Sequence, residues 1–218
     1  MKTRLVLNSL LTTLVVAVGL SASSAFGQDA KTEKLVDLKA PLIQAQQTPD
    51  IKAQGVKDKR WKPKDWLEFE IPFIAAAPRN AKANFTSYDQ LNFKYYLFLS
   101  NPDKEKSRIL TAEVTHANVP VGEGMASVVY LSPSAVLGLT GASRVQANAV
   151  TLWAVEVTHE GKTVGFLSSS GKAPTDPGAE WWKATSAPPT VAGVLKNKME
   201  TPFAPLWGDY HAEVQSNK

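Results

Sequence analysis

From Trp66 onward the apolar side chains recur at every second position, a spacing that suits a strand and defeats a helix. Leu67, Phe69, Ile71 and Phe73 share one face of the first run, and Trp66, Glu68 and Glu70 share the other. Pro72 places that run at a sheet edge or near a strand end, because proline donates no ladder hydrogen bond. A second run puts Leu91, Phe93, Tyr95, Leu97 and Leu99 on one face. Its far half, with Tyr96 and Phe98 opposite, is apolar on both sides. Ile109–Ala117 and Met125–Leu131 follow as strands. They are separated by Pro120, Gly122 and Gly124, and Pro133 starts a short helical turn over Ser132–Gly138. Val150–Ser169 is a hairpin about Glu160-Gly161. A simple two-residue loop pairs His159 with Lys162, Val157 with Val164 and Val155 with Phe166. Short strands, frequent turn signals and no long amphipathic helix predict an all-β fold. The expectation is an immunoglobulin-like antiparallel sandwich, with a closed barrel as the alternative.

The flanks have other textures. Lys2 and Arg4 precede the apolar run Leu5–Leu20, and small residues end at Gly27, so residues 1–27 read as a secretory signal peptide cleaved before Gln28. Residues 28–60 are polar and read as a flexible arm, with a short helix around Lys31–Lys39. The sandwich is then expected over 61–171. Residues 172–218 hold six of the fourteen prolines together with Trp181, Trp182, Phe203, Leu206, Trp207 and Tyr210. That mixture excludes a central strand and is too aromatic for a solvated tail. The segment is expected to extend and dock on its own domain or on a partner, and those six residues are the candidate partner-binding set. Docking in cis is favoured, because the closure needed is short.

Chemistry is sparse. With no cysteine, a disulfide scaffold, a thiol nucleophile and a thiolate-ligated zinc are excluded. His116 lies on a strand with Glu113 on the opposite face, His159 sits at a hairpin tip, and Asp209 and His211 lack a third ligand. Glu68 and Glu70 share a strand face that reads as solvated, although such a pair can serve glycosidase chemistry. No serine sits in a nucleophile elbow. Trp61 and Trp66 are interleaved with Lys57, Lys59, Arg60, Lys62 and Lys64, which could face an anionic chain. The formal charge is only +4, and +2 without Lys2 and Arg4, so no nucleic-acid partner is expected. No catalytic residue, cofactor or metal is assigned.

The strand Trp66-Leu67-Glu68-Phe69-Glu70, the run Leu152-Trp153-Ala154-Val155 and the tail from Glu200 through Pro202, Phe203, Pro205 and Trp207 to Tyr210 resemble one small family. It is the secreted immunoglobulin-like proteins associated with type IV pilus loci of Akkermansia and related verrucomicrobia. The resemblance implies an immunoglobulin-like fold and no catalytic residues. It also implies a structural or interaction role in or near a surface appendage of the envelope. A protein partner there, with homo-oligomers as a further option, is expected separately, since the resemblance does not choose the partner. A carbohydrate-binding module or minor glycan-active protein is the alternative, suggested by six tryptophans and by Glu68 and Glu70.

Overall fold

The computed structural model describes residues 33–51, 55, 57, 61–142 and 144–215. The expected signal peptide lies outside them. Among the described residues, ten strands and one α-helix follow in chain order: β1 (Val36–Leu38), β2 (Leu42–Gln47), β3 (Asp65–Ala75), β4 (Ser87–Leu99), β5 (Arg108–Pro120), β6 (Gly124–Leu131), α1 (Pro133–Thr140), β7 (Val150–His159), β8 (Lys162–Ser168), β9 (Thr190–Ala192) and β10 (Lys196–Asn197). Sheet A runs β1-β3-β6-β10, with β2 pairing β3 beside β1, and sheet B runs β8-β7-β4-β5-β9. The expected all-β sandwich is present. In immunoglobulin lettering, β3 and β6 are the B–E pair, while β8-β7-β4-β5 take the order G-F-C-C′. All pairings between named strands are antiparallel except β5–β9.

The period-two faces meet between the sheets as predicted. Leu67, Phe69, Ile71 and Phe73 from β3 pack against Leu91, Phe93, Tyr95, Leu97 and Leu99 from β4, all buried in one cluster. Phe73 and Phe93 have ring centroids 4.9 Å apart, inside the range where tilted aromatic pairs add to simple area burial. Ser132 caps α1 by accepting from Ala135 N–H, Pro133 occupies the first turn, and Gly141 ends the helix in the left-handed region at φ 69°. No described helix is long and apolar enough to cross a membrane.

Four expectations change. Residues 28–60 are not simply an arm: β1 and β2 lie there, and no helix forms over the described part of Lys31–Lys39. Val36 and Leu38 alternate about Asp37, and β3 offers an antiparallel partner to each short strand. A polar composition hides them because only one face of each is covered. Pro72 is not at an edge. It sits where the neighbour of β3 changes from β2, which ends opposite Glu70, to β1, which begins opposite Phe73. The missing N–H therefore falls in a gap between two partners. The hairpin keeps its Glu160-Gly161 loop and the His159–Lys162 pair, but a bulge then shifts the ladder. Val157 faces Gly165, and Glu156 faces Phe166. Phe166 thus leaves the inner face of Val155 and Val157 for an outer cluster. Gly165 is required here: a Cβ would come within 2.9 Å of Val36 Cβ. Leu35 N–H donates to the Val164 carbonyl at 2.8 Å, joining the start of β1 to sheet B.

The last change concerns the expected boundary at residue 171, since β9, β10 and the residues after them complete the domain. Residues 179–187 lie on the outer face of sheet B, where Trp182 stacks on Tyr96 at 4.1 Å beside Ile109 and Phe166. This explains why the far half of β4 is apolar on both sides. Residues 203–206 cover the outer face of sheet A, where Phe203 stacks on Tyr130 at 4.7 Å and meets Trp66 edge-on at 5.9 Å.

Candidate functional site

The outer face of β3 carries the most concentrated chemistry. Glu68 and Glu70 are on the same side of the strand, as the alternation requires, yet they are 2% and 6% exposed rather than solvated. The tail covers them. An isolated buried carboxylate is expensive, so each needs partners. Gln44 of β2 donates to Glu68 at 2.7 Å. Glu70 accepts from the Tyr210 hydroxyl at 2.7 Å and from His211 Nε2–H at 3.0 Å. Burial alone raises the Glu70 carboxyl, but the hydrogen bonds from His211 and Tyr210 outweigh it and hold the group below its ordinary value. The bond to Glu70, with burial, pushes the Tyr210 phenol up to about 12. The Tyr130 hydroxyl and His211 Nδ1 are buried nearby without a hydrogen-bond partner among the described residues.

His211 therefore pairs with Glu70, 141 positions away in sequence, and not with its neighbour Asp209. The reason is the turn before it. Trp207 adopts φ 54°, a left-handed conformation uncommon for a bulky residue, and its carbonyl accepts from both Tyr210 and His211 N–H groups. That turn throws Asp209 outward and His211 inward. Such strain costs on the order of 1–3 kcal/mol and persists only where the surroundings hold it. Here the Trp207 ring stacks over Phe203 at 6.3 Å and meets His211 edge-on at 5.8 Å.

A second polar group lies between the sheets. Tyr95 on β4, Ser127 on β6 and His116 on β5 form a connected hydrogen-bond chain. His116 Nδ1 lies 3.1 Å from the Ala212 carbonyl and 3.2 Å from that of Glu213. Carbonyls only accept, so Nδ1 carries the proton and Nε2 accepts from the Ser127 hydroxyl. Burial drives the imidazole pKa down to about 4, against backbone hydrogen bonds that raise it. A hydroxyl beside an oriented imidazole has the form of an activated nucleophile. All three side chains are buried, however.

The six residues predicted to bind a partner divide. Trp182 and Phe203 are buried in their own domain and are not available as partner anchors. Trp181 and Leu206 are half-buried beside them. Trp207 and Tyr210 remain 42% and 48% exposed. The irregular spacing that singled out these aromatics arises because the tail meets two different sheet faces. Among the described residues no three His, Asp or Glu side chains converge as a metal site. Ser127 carries no sequence signal, because its partners come from separate strands.

A protein-family model matches residues 27–218. Among solved structures, the chain is similar to a crystal structure of a protein from Akkermansia muciniphila, with 35% identity and a TM-score of 0.72. The match covers 84% of this chain and 94% of that one. No curated protein matches it. With both the family model and that identity extending over most of its length, the chain belongs to the same family as the Akkermansia muciniphila protein.

Proposed function

We propose that this chain is a non-enzymatic interaction module of the cell envelope or surface, exported by its leader and acting through protein contacts in or near a pilus-type appendage. The observation that carries the reading is the contrast between its sealed chemistry and its open aromatics. The groups that cluster with acid–base partners, Glu68, Glu70 and His211 under the tail and His116 with Ser127 between the sheets, are all buried. Several large apolar side chains stay exposed, Trp207 and Tyr210 among them. Aromatic residues with one open face are the usual anchors of protein interfaces. The resemblance to secreted immunoglobulin-like proteins of pilus loci supports the location.

The test is capture from envelope extract with the chain from Gln28 onward as bait, beside its Trp207→Ala variant. A discrete envelope protein bound by the first and lost with the second is expected. One observation favours a second reading, carbohydrate binding: Trp207 and Tyr210 flank His211 and both present open rings. Saturable binding on a glycan array, abolished by Trp207→Ala, makes that reading the better one.

A further inference from the structure

β1 and β2 lie end to end along β3, with one extra residue between them at Lys39–Pro41. The β1 half of this edge is closed by sheet B, where Leu35 N–H donates to the Val164 carbonyl. The β2 half is open. Thr48 N–H donates to the Lys64 carbonyl at 2.9 Å, and backbone groups alternate in direction along a strand, so Leu42, Gln44 and Gln46 address β3. The backbone groups of Ile43, Ala45 and Gln47 point away, and among the described residues they have no hydrogen-bond partner. Sheet edges are normally blunted by charge, proline or a bulge. The β1 half follows that rule, with Asp37 ion-paired to Lys34 and Lys39. From Ala40 to Pro49 no residue is charged, and β2 itself contains no proline.

The strand complements itself. Its three outward-pointing residues are symmetric about Ala45. A two-fold axis there pairs Ala45 with Ala45 of a second copy and Ile43 with Gln47 of that copy, which uses every outward N–H and C=O of the strand. Ala45 is the smallest side chain of β2 and is exposed, so two strands can close at the axis. Gln44 then comes opposite Gln46 of the second copy. Its amide N–H donates to Glu68, which leaves its Oε1 to accept from that Gln46. No charge meets a like charge anywhere along the paired strands. We propose that the open edge of β2 is a homodimer interface, in which β2 pairs antiparallel with β2 of a second copy about a two-fold axis at Ala45. The pairing joins two A sheets into one and closes on itself, as isologous contacts do. It goes beyond partner binding through Trp207 and Tyr210, neither of which it uses.

Sedimentation velocity across a wide concentration range tests this, with Ala45→Lys, Ala45→Glu and their equimolar mixture beside the wild type. A monomer–dimer equilibrium is expected in the wild type. Each variant alone sets like charges face to face at the axis and should dimerise at least about tenfold more weakly. The mixture sets opposite charges there and should recover the dimer. A wild type that stays monomeric overturns the proposal, as does a dimer that neither substitution weakens. Weakening in both variants without recovery in the mixture overturns the pairing at Ala45. Amide hydrogen exchange of the wild type gives a reading that no substitution can disturb. The Ala45 amide should slow as concentration rises, with the Gln44 amide, directed at β3, as the control. An Ala45 amide indifferent to concentration overturns the self-pairing. So does one slowed only by added envelope extract, which assigns the edge to a foreign strand.

Discussion

Replacing Phe203 with alanine removes the main apolar anchor of the tail on sheet A. The ring is fully buried, stacked on Tyr130, edge-on to Trp66 and overlaid by Trp207. Truncating a buried phenylalanine costs about 3–5 kcal/mol, through lost transfer free energy and the cavity left behind. The upper half of that range is expected, since the stacked pair with Tyr130 is worth about 0.5–1.5 kcal/mol beyond area alone. For a domain of this size each kcal/mol moves the melting temperature by roughly 2–4 °C, so the variant should melt on the order of 10 °C lower or more. Urea unfolding at two protein concentrations is the assay. Trp207→Ala is the control: it removes a ring that is 42% exposed and opens no cavity inside the core. A cost for Phe203→Ala below about 1 kcal/mol, or equal to that of Trp207→Ala, refutes the docking energetics.

Three further outcomes are expected. Deletion after Ser186 should lower the melting temperature markedly without changing molecular size or introducing concentration dependence, read by calorimetry and light scattering, because Phe203 docks on its own Tyr130. His116 has a folded pKa of about 4 against an ordinary 6.5. Its neutral burial therefore favours folding fully above pH 6.5, and about 3 kcal/mol of that is lost as pH falls through the window down to pH 4. Stability measured against pH should lose this slope in His116→Gln; Glu70, held below its ordinary value, acts with the same sign at lower pH. Gly165→Ala forces a Cβ to 2.9 Å from Val36 Cβ and 3.0 Å from its carbonyl oxygen, so it should destabilise by more than about 1 kcal/mol in urea titrations.

What the sequence makes legible depends on which interactions are local. Alternation along Leu67–Phe73 and Leu91–Leu99 reads the inner faces, because a strand half-buried in a sandwich writes its environment at period two. The double-sided apolarity at Tyr96 and Phe98 likewise announces a second layer, occupied by Trp181 and Trp182. The hairpin register slips by one after Thr158, since the bulge answers to the approach of Val36 from another element and not to the loop. β1 and β2 escape sequence reading because their partner lies in β3, beyond a polar stretch. Glu70 and His211 belong together only through the strained turn at Trp207, and no spacing rule connects residues that far apart.

The polar group beneath the tail also explains how so irregular a segment settles in one place. Apolar burial is non-directional, and a ring such as Phe203 gains nearly as much from a small slide across Tyr130 and Val128. Glu70 does not tolerate that slide. Its two carboxylate oxygens accept separately from Tyr210 and His211, adjacent residues whose side chains reach it only with the Trp207 turn in place. A shift of one residue leaves a buried carboxylate short of a partner, which costs several kcal/mol and exceeds what the slide restores. The carboxylate pair thus acts as a register pin rather than a source of net stability. The backbone immediately after it reads out that placement: Ala212 N–H bonds Ala126 of sheet A, and the Glu213 carbonyl accepts from Ala117 of sheet B. Fixing Glu70 fixes how the final segment laces the two sheets together.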